Sequence, residues 1–460
     1  MKKDRIERDL LGELSVPADA YYGVHTKRSS LNFPISGLRL HSVLIDGIVS
    51  VKKATARTNA DLGKLDSRIA GAINQACEDI LAGKLRDQFI VDVFQMGAGT
   101  SFHMNCNEVL ANRAEEILGG EKGKYRLVHP NDHVNMGQST NDVFPTALRL
   151  GILFLFKNVF FTSLENLTNS LLKKAREFDL VLKSGRTHLQ DAAPIRLGQE
   201  FKAYGISLKK CGAFLTNASR SLLPLGIGGS AVGTGLNTSP GYAKKVVFYL
   251  SEWTGFDLSS AEDLRESMQS MRPMAEVSGG LRNLALELTR VANDLRLLSS
   301  GPKTGLAEIQ LPAVAPGSSA MPGKVNPSML EMLNMVCYQV MGCDLAVSGA
   351  VQAGQLELNV MMPVIAFNLC FMIDILSHAM AEVKKRCIDG IKANVDRCLH
   401  YAEESLALAT ALSPHIGYAQ AAEIAKEAFQ AGKSIAEVTE EKGLLSRKKI
   451  NEILDPKNMT

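Results

Sequence analysis

The chain has 460 residues, 46% of them hydrophobic and 22% charged, which is enough apolar material for a large core and more than one domain. Its 51 basic and 48 acidic residues leave a formal charge of +3, so composition offers no bulk electrostatic case for a nucleic-acid or anionic-membrane partner. Cysteines at 77, 106, 211, 337, 343, 370, 387 and 398 include no Cys-x-x-Cys pair and read as reduced thiols of a cytoplasmic protein.

The N-terminus, Met1 to Arg8, alternates charges and lacks the apolar stretch of a signal peptide, so export is not expected. A first polar segment follows at Gly97-Ala98-Gly99-Thr100-Ser101 and Met104-Asn105-Cys106-Asn107-Glu108. A second runs from His133 through Asn135, Gly137, Gln138, Ser139, Thr140 and Asn141 to Asp142. His129 and His133 have the spacing of a helical metal pair, but Pro130 lies between them and no third ligand completes a zinc motif. No metal or cofactor is expected.

Segments at about 142–175, 196–222, 328–350 and 355–390 are rich in Leu, Met, Ala and Val with few breakers, and they predict long helices. Lys157, Pro363, Asn368 and Asp374 interrupt the most apolar windows, so these read as buried helices rather than membrane spans. A third polar segment, Gly185-Arg186-Thr187-His188-Leu189-Gln190-Asp191, lies between two of them. The glycine-rich run from Gly226 to Gly235 lacks the preceding strand and following lysine of a phosphate loop, and close backbone packing is its expected role. Leu281, Leu284, Leu288, Val291, Leu295 and Leu298 recur at intervals of three and four, the pattern of a bundle seam. Helices so long and apolar on several sides are better satisfied when several subunits pack together.

The fourth polar segment, Gly317 to Pro327, is the most informative. Its glycines and prolines argue against helix or strand, and it presents two hydroxyls, a cation and an amide to a small carboxylate. It is not a Walker A loop, because five residues separate Gly317 from Gly323 and Val325 follows Lys324. Nor is it a nucleophile elbow, since Ser318 and Ser319 do not sit in Gly-x-Ser-x-Gly. Beyond about 398 the helices shorten, charge rises, and Pro414, Gly417, Gly432 and Gly443 punctuate the chain. The expected fold is mainly α. Its expected domains are a mostly helical one at 1–141, a central long-helix bundle at 142–397 and a small helical one at 398–460.

Each polar segment is expected beside a helix start, where free N–H groups and hydroxyls can hold an anion. Plain capping of a helix near Asp142 is the alternative use of Ser139, Thr140 and Asn141. On residue chemistry alone His188, with an ordinary pKa near neutrality, is the first choice of base.

The run Gly-Ser-Ser-x-Met-Pro-x-Lys-x-Asn at 317–326 resembles the shared motif of the aspartase/fumarase superfamily, whose members cleave C–N or C–O bonds and release fumarate. The resemblance extends from Arg5-Ile6-Glu7-Arg8-Asp9 to Ile416-Gly417-Tyr418. It implies a three-domain subunit, a central helix bundle and a homotetramer with active sites shared between chains. It further implies that Thr100, Ser139 and Thr140 hold one substrate carboxylate, while Asn141 and His188 lie near the leaving amino group. Lys324 and Asn326, helped by Thr187, would bind the other carboxylate, Ser318 would be the general base, and Ser319 and Met321 would line the substrate from the same loop. Glu331 and Glu357 are candidates to orient Lys324 or His188, or to form structural ion pairs. His103 stands where the family commonly carries another polar residue, often Asn.

Gln138 to Asp142, Gly97 to Ser101 and Asp191 to Ile195 resemble the aspartase form, which implies deamination of L-aspartate to fumarate and ammonia. His129-Pro130-Asn131-Asp132 and Gly229 to Gly233 resemble fumarases as much, and the first of these matches a fumarase loop able to hold a second carboxylic acid. Hydration of fumarate to malate is therefore the alternative activity, and a catalytically silent structural member is the third.

Overall fold

The computed structural model describes residues 4–460; Met1 to Lys3, the start of the charged N-terminus, lie outside the described residues. The chain opens with an antiparallel hairpin, β1 (Asp4–Asp9) and β2 (Gly12–Pro17), and then turns helical. The next helices are α1 (Val24–Asn32), α2 (Ser42–Asp61), α3 (Ser67–Leu81), α4 (Thr100–Ile117), α5 (Thr140–Leu155) and α6 (Phe161–Glu177). A second hairpin, β3 (Leu182–Thr187) and β4 (Gln190–Arg196), precedes α7 (Leu197–Arg220), α8 (Tyr242–Thr254) and the one-turn α9 (Glu266–Gln269). Three long helices follow, α10 (Arg272–Leu298), α11 (Ser328–Gln352) and α12 (Met362–Arg386). The chain ends in shorter ones: α13 (Val395–Glu404), α14 (Ala409–Ile416), α15 (Tyr418–Ala431), α16 (Ile435–Glu441) and α17 (Arg447–Leu454).

The long helices stand close to the positions that periodicity predicts. All six seam residues of α10, from Leu281 to Leu298, are buried. The helix predicted from about 355 instead begins at Met362, because Pro363 has no N–H to give and suits only a first turn. Asn359 manages the break. Its amide donates to the carbonyls of Ala350 and Val351 at the end of α11, and its oxygen accepts from Met361 N at 2.8 Å. Two apolar helical stretches, Thr140–Glu177 and Met362–Gly390, have the length and composition to cross a membrane, yet most of each apolar window is buried within the fold. The eight cysteines are all unpaired thiols.

The fold divides into two compact units. The first comprises Met1–Phe161, Ala213–Asn283 and Tyr338–Leu376, and in it α2 packs against α3, α5 and α8 through buried residues such as Ile48, Val51, Ile73, Leu148 and Val246. The second comprises Thr162–Gly212, Leu284–Cys337 and Ser377–Thr460. There the second hairpin packs on α13, and the last helices close around Leu412, Ile424, Val438 and Ile450. A capping box holds the start of α16: Ser434 and Glu437 exchange hydrogen bonds with each other's backbone N–H.

Leu288, in the seam of α10, is 1% exposed, so truncating it leaves a cavity. Leu288→Ala is expected to destabilise the protein by about 3 kcal/mol, read as a lowered urea midpoint. An unchanged midpoint would show that the seam does not carry the bundle.

Candidate active site

In the first unit, two helix starts meet. The chain enters α4 through a tight turn at Gly97–Gly99 in which Ala98 has φ 61° and Gly99 φ 86°. A Cβ on Gly99 would lie 2.2 Å from the Phe144 ring, so the glycine is what lets this turn rest on α5. Thr100, the first residue of α4, donates its hydroxyl to Gly97 O at 3.2 Å. Ser139 caps α5: its oxygen accepts from Asn141 N at 3.2 Å, while Asp142 accepts from Ser139 N at 3.0 Å. The capping use weighed for Ser139 is therefore real.

Asp142 also explains the glycine-rich run. Its other oxygen accepts from Gly228 N and Ser230 N, both at 2.9 Å, and Asn141 donates to Ala231 O at 2.8 Å. Burial raises the Asp142 carboxyl to about 6, against the pull of these backbone donors. The run from Gly226 packs its backbone on the start of α5 instead of cradling a phosphate.

Behind Thr140 lies a buried polar chain that includes a lysine the sequence reading missed. Thr140 Oγ1 is 2.7 Å from His103 Nδ1, and His103 Nε2 is 2.7 Å from Lys52 Nζ. Lys52 also donates to Asn135 Oδ1 at 2.9 Å and Gln138 Oε1 at 2.8 Å. Burial pulls the Lys52 ammonium down to about 7, and burial together with Lys52 keeps the His103 imidazole well below its ordinary value. One signal was available: Lys52 continues the apolar face of α2 marked by Ile45 and Ile48, a position where a lysine must find internal partners. Glu108, in contrast, turns away to α1. It accepts from the N–H groups of Gly23, His25 and Thr26 at 2.9–3.0 Å, and burial raises it to about 7.

The remaining predicted residues lie in the second unit. Contrary to the expectation of a helix start, Thr187 ends β3 and His188 sits in the two-residue turn of the hairpin. His188 and Leu189 have φ 57° and 58°, the left-handed pair that a tight hairpin turn demands, without the Asn-Gly that usually announces one. The turn leaves Thr187 and His188 exposed. The strand behind them is anchored by charge: Lys183 pairs with Glu200 at 2.7 Å and Glu308 at 3.3 Å, and Arg186 pairs with Glu308 at 2.8 Å.

The 317–326 loop closes on itself. Gly317 N donates to Lys324 O at 2.7 Å and Asn326 Nδ2 donates to Gly317 O at 2.7 Å, leaving no space for a Cβ at Gly317. Ser318 Oγ accepts from Ala320 N at 3.1 Å and Met321 N at 2.9 Å. Ser319, Met321 and Lys324 are exposed, whereas Ser318 and Asn326 are half-buried. Among the described residues, no hydrogen bond joins this loop to the hairpin turn, and Glu331 forms no ion pair with Lys324 or His188. One chain thus presents Thr100, Ser139, Thr140 and Asn141 on one unit, and Thr187, His188 and the loop residues on the other.

Residues 12–342 match the Lyase family, and residues 408–460 match the Fumarase C C-terminus family. An aspartate ammonia-lyase from a Bacillus species is 47% identical over 456 residues, covering 99% of this chain and 97% of its own. That of Bacillus subtilis strain 168 is 47% identical, covering 100% and 96%. Among solved structures, a fumarate lyase:delta crystallin from Brucella melitensis bound to cobalt superposes with TM-score 0.96 at 48% identity, and a class II fumarase from Schistosoma mansoni with TM-score 0.96 at 37%. Each pair covers 99% of both chains. With two family matches and full-length relatives at this identity, the chain belongs to the aspartase/fumarase superfamily of lyases, and aspartate ammonia-lyases are among its full-length relatives at 47% identity.

Proposed function

We propose that the protein reversibly deaminates L-aspartate to fumarate and ammonium, with Ser318 as the base. The observation that carries the mechanism is the pair of backbone N–H groups on Ser318 Oγ, from Ala320 and Met321. A serine hydroxyl is ordinarily far too weak an acid to ionise near neutrality, and fixed donors on its oxygen favour the charged form. The alkoxide takes the C3 proton of aspartate. The electron pair left behind is drawn into the adjacent carboxylate as a doubly charged aci-carboxylate, and its return forms the C2–C3 double bond as ammonia leaves C2.

The developing charge needs donors and cations already in place, since their reorganisation would otherwise add to the barrier. Lys324 and Asn326, with Thr187, bind the carboxylate beside C3. Thr100, Ser139 and Thr140, backed by the helix starts of α4 and α5, hold the other carboxylate, and Asn141 and His188 face the amino group. Ser319 and Met321 line the substrate from the loop. The identity with aspartate ammonia-lyases, higher than that with the Schistosoma fumarase, favours aspartate over malate.

The site is shared between chains of a homotetramer. Long helices leave large apolar side chains in solvent on a single chain: Phe214 on α7, Leu286 on α10, and Met335, Tyr338 and Leu345 on α11, the last 76% exposed. Apolar surface on this scale is a subunit contact.

Fumarate absorbs in the ultraviolet, so the pure protein incubated separately with L-aspartate and L-malate is expected to form it from aspartate. Faster turnover of malate would reassign the substrate, and inactivity on both would point to a structural member. Ser318→Ala is expected to lower kcat by about 10²-fold or more with little change in KM; near-normal kcat would move the base elsewhere, His188 first. Ser318→Ala and His188→Ala chains, each inactive alone, are expected to regain part of the activity when dissociated and reassembled together. Verified hybrids without activity would rule out shared sites.

A further inference from the structure

Lys52 is fully buried, and its three neighbours are two acceptor oxygens, Asn135 Oδ1 and Gln138 Oε1, and the ring nitrogen Nε2 of His103. The orientation of two of them is fixed independently. Asn135 Nδ2 donates to Gln138 O, and Gln138 Nε2 donates to Val134 O and Met136 O, so the oxygen ends of both side chains face Lys52. An ammonium has three N–H bonds and no lone pair, and here the third can go only to His103 Nε2. That nitrogen therefore carries no proton. In the neutral imidazole favoured by burial the proton sits on Nδ1, which then donates to Thr140 Oγ1 across 2.7 Å. With its oxygen accepting from within, Thr140 has its own O–H to give, and among the described residues no other protein acceptor takes it.

We propose that Lys52 and His103 are positioning residues that form, with Thr140, a one-way hydrogen-bond relay turning the Thr140 hydroxyl proton outward to the substrate carboxylate. Without the relay, Thr140 could spend that proton on an imidazole lone pair and meet the carboxylate with its own. The inference rests on the reading of Thr140 as a carboxylate-binding residue. The relay's direction, however, belongs to the protein alone and can be measured without substrate.

The test combines a spectrum with kinetics, both at about pH 6, below the value of about 7 to which burial brings Lys52. In the 15N spectrum of histidine-labelled protein, His103, identified by the signal lost in His103→Asn, is expected to be the neutral tautomer protonated at Nδ1. An Nε2-protonated ring or an imidazolium would overturn the relay. His103→Leu removes both hydrogen bonds and is expected to raise KM for L-aspartate roughly tenfold or more, with a smaller fall in kcat, because the lost contact is made already in the bound substrate. His103→Asn, whose carboxamide can accept from Lys52 and donate to Thr140, is expected to recover most of that affinity. A folded His103→Leu protein with unchanged KM would also overturn the proposal. Should that variant fail to assemble, the tautomer in the unaltered protein still decides. Should the unaltered protein not act on aspartate at all, the functional reading fails while the spectrum continues to test the relay.

Discussion

Every helix begins with amide N–H groups that the helix itself cannot bond, and the way this chain disposes of them organises its chemistry. At several starts a side chain takes them. Ser434 and Glu437 do so for α16, Asp66 for α3, and Glu108, from the middle of α4, for α1. The start of α5 uses the same device as α16, with Ser139 and Asp142 in those roles, whereas α4 follows Gly99 with no capping side chain there and presents Thr100. Asp142 completes the cap of α5 from its buried side, so the negative charge faces the glycine-rich run.

Buried charge is the recurrent device. Glu108, Glu115 and Asp142 are all withdrawn from solvent, and each is surrounded by backbone N–H donors. Glu115 gathers the amides of Arg126, Leu127 and Val128, fixing the loop that leads to the second polar segment. Lys52 does the converse, held by the oxygens of Asn135 and Gln138 and beside the His103 ring. Carboxylates and an ammonium held this way are rigid points of reference, since moving any of them strands several hydrogen bonds in a low-dielectric interior. In the second unit, Glu308 plays this part for the strand behind His188, holding Lys183 and Arg186 while the turn itself stays open.

The two halves of the chemistry differ in build. The starts of α4 and α5, proposed to bind a carboxylate, are part of a packed core, with Gly99 against Phe144 and Thr140 against His103. The loop bearing Ser318 is instead held by its own backbone, through Gly317, Lys324 and Asn326. Asn326 accordingly has a structural contact in addition to the one proposed with substrate. As proposed parts of the site, a rigid cradle and a self-contained loop would suit a reaction in which binding must be firm and proton removal must await a correctly placed C3.

Much of this was legible in the sequence where the governing interactions are local. The three-and-four spacing of Leu281 to Leu298 is the period of a helix, Ser139 and Asp142 lie at capping distance along the chain, and the glycines and prolines of 317–327 forbid regular structure. The long motif in that loop also announced the family. What escaped was long-range or strained. The hairpin at 182–196 was hidden because His188 and Leu189 accept left-handed φ without the residues that normally signal it, and the strand pairing and the Glu308 pairs hold them there. Nothing local links residues 52, 103 and 140; α2, α4 and α5 bring them within hydrogen-bond distance only after the apolar faces of those helices pack. Sequence alone therefore determined the helices, the loop and the residue types of the site, because those follow from backbone sterics and periodicity. Tertiary structure alone decided which buried polar groups meet, because the desolvation that forces them to pair exists only once the core has closed.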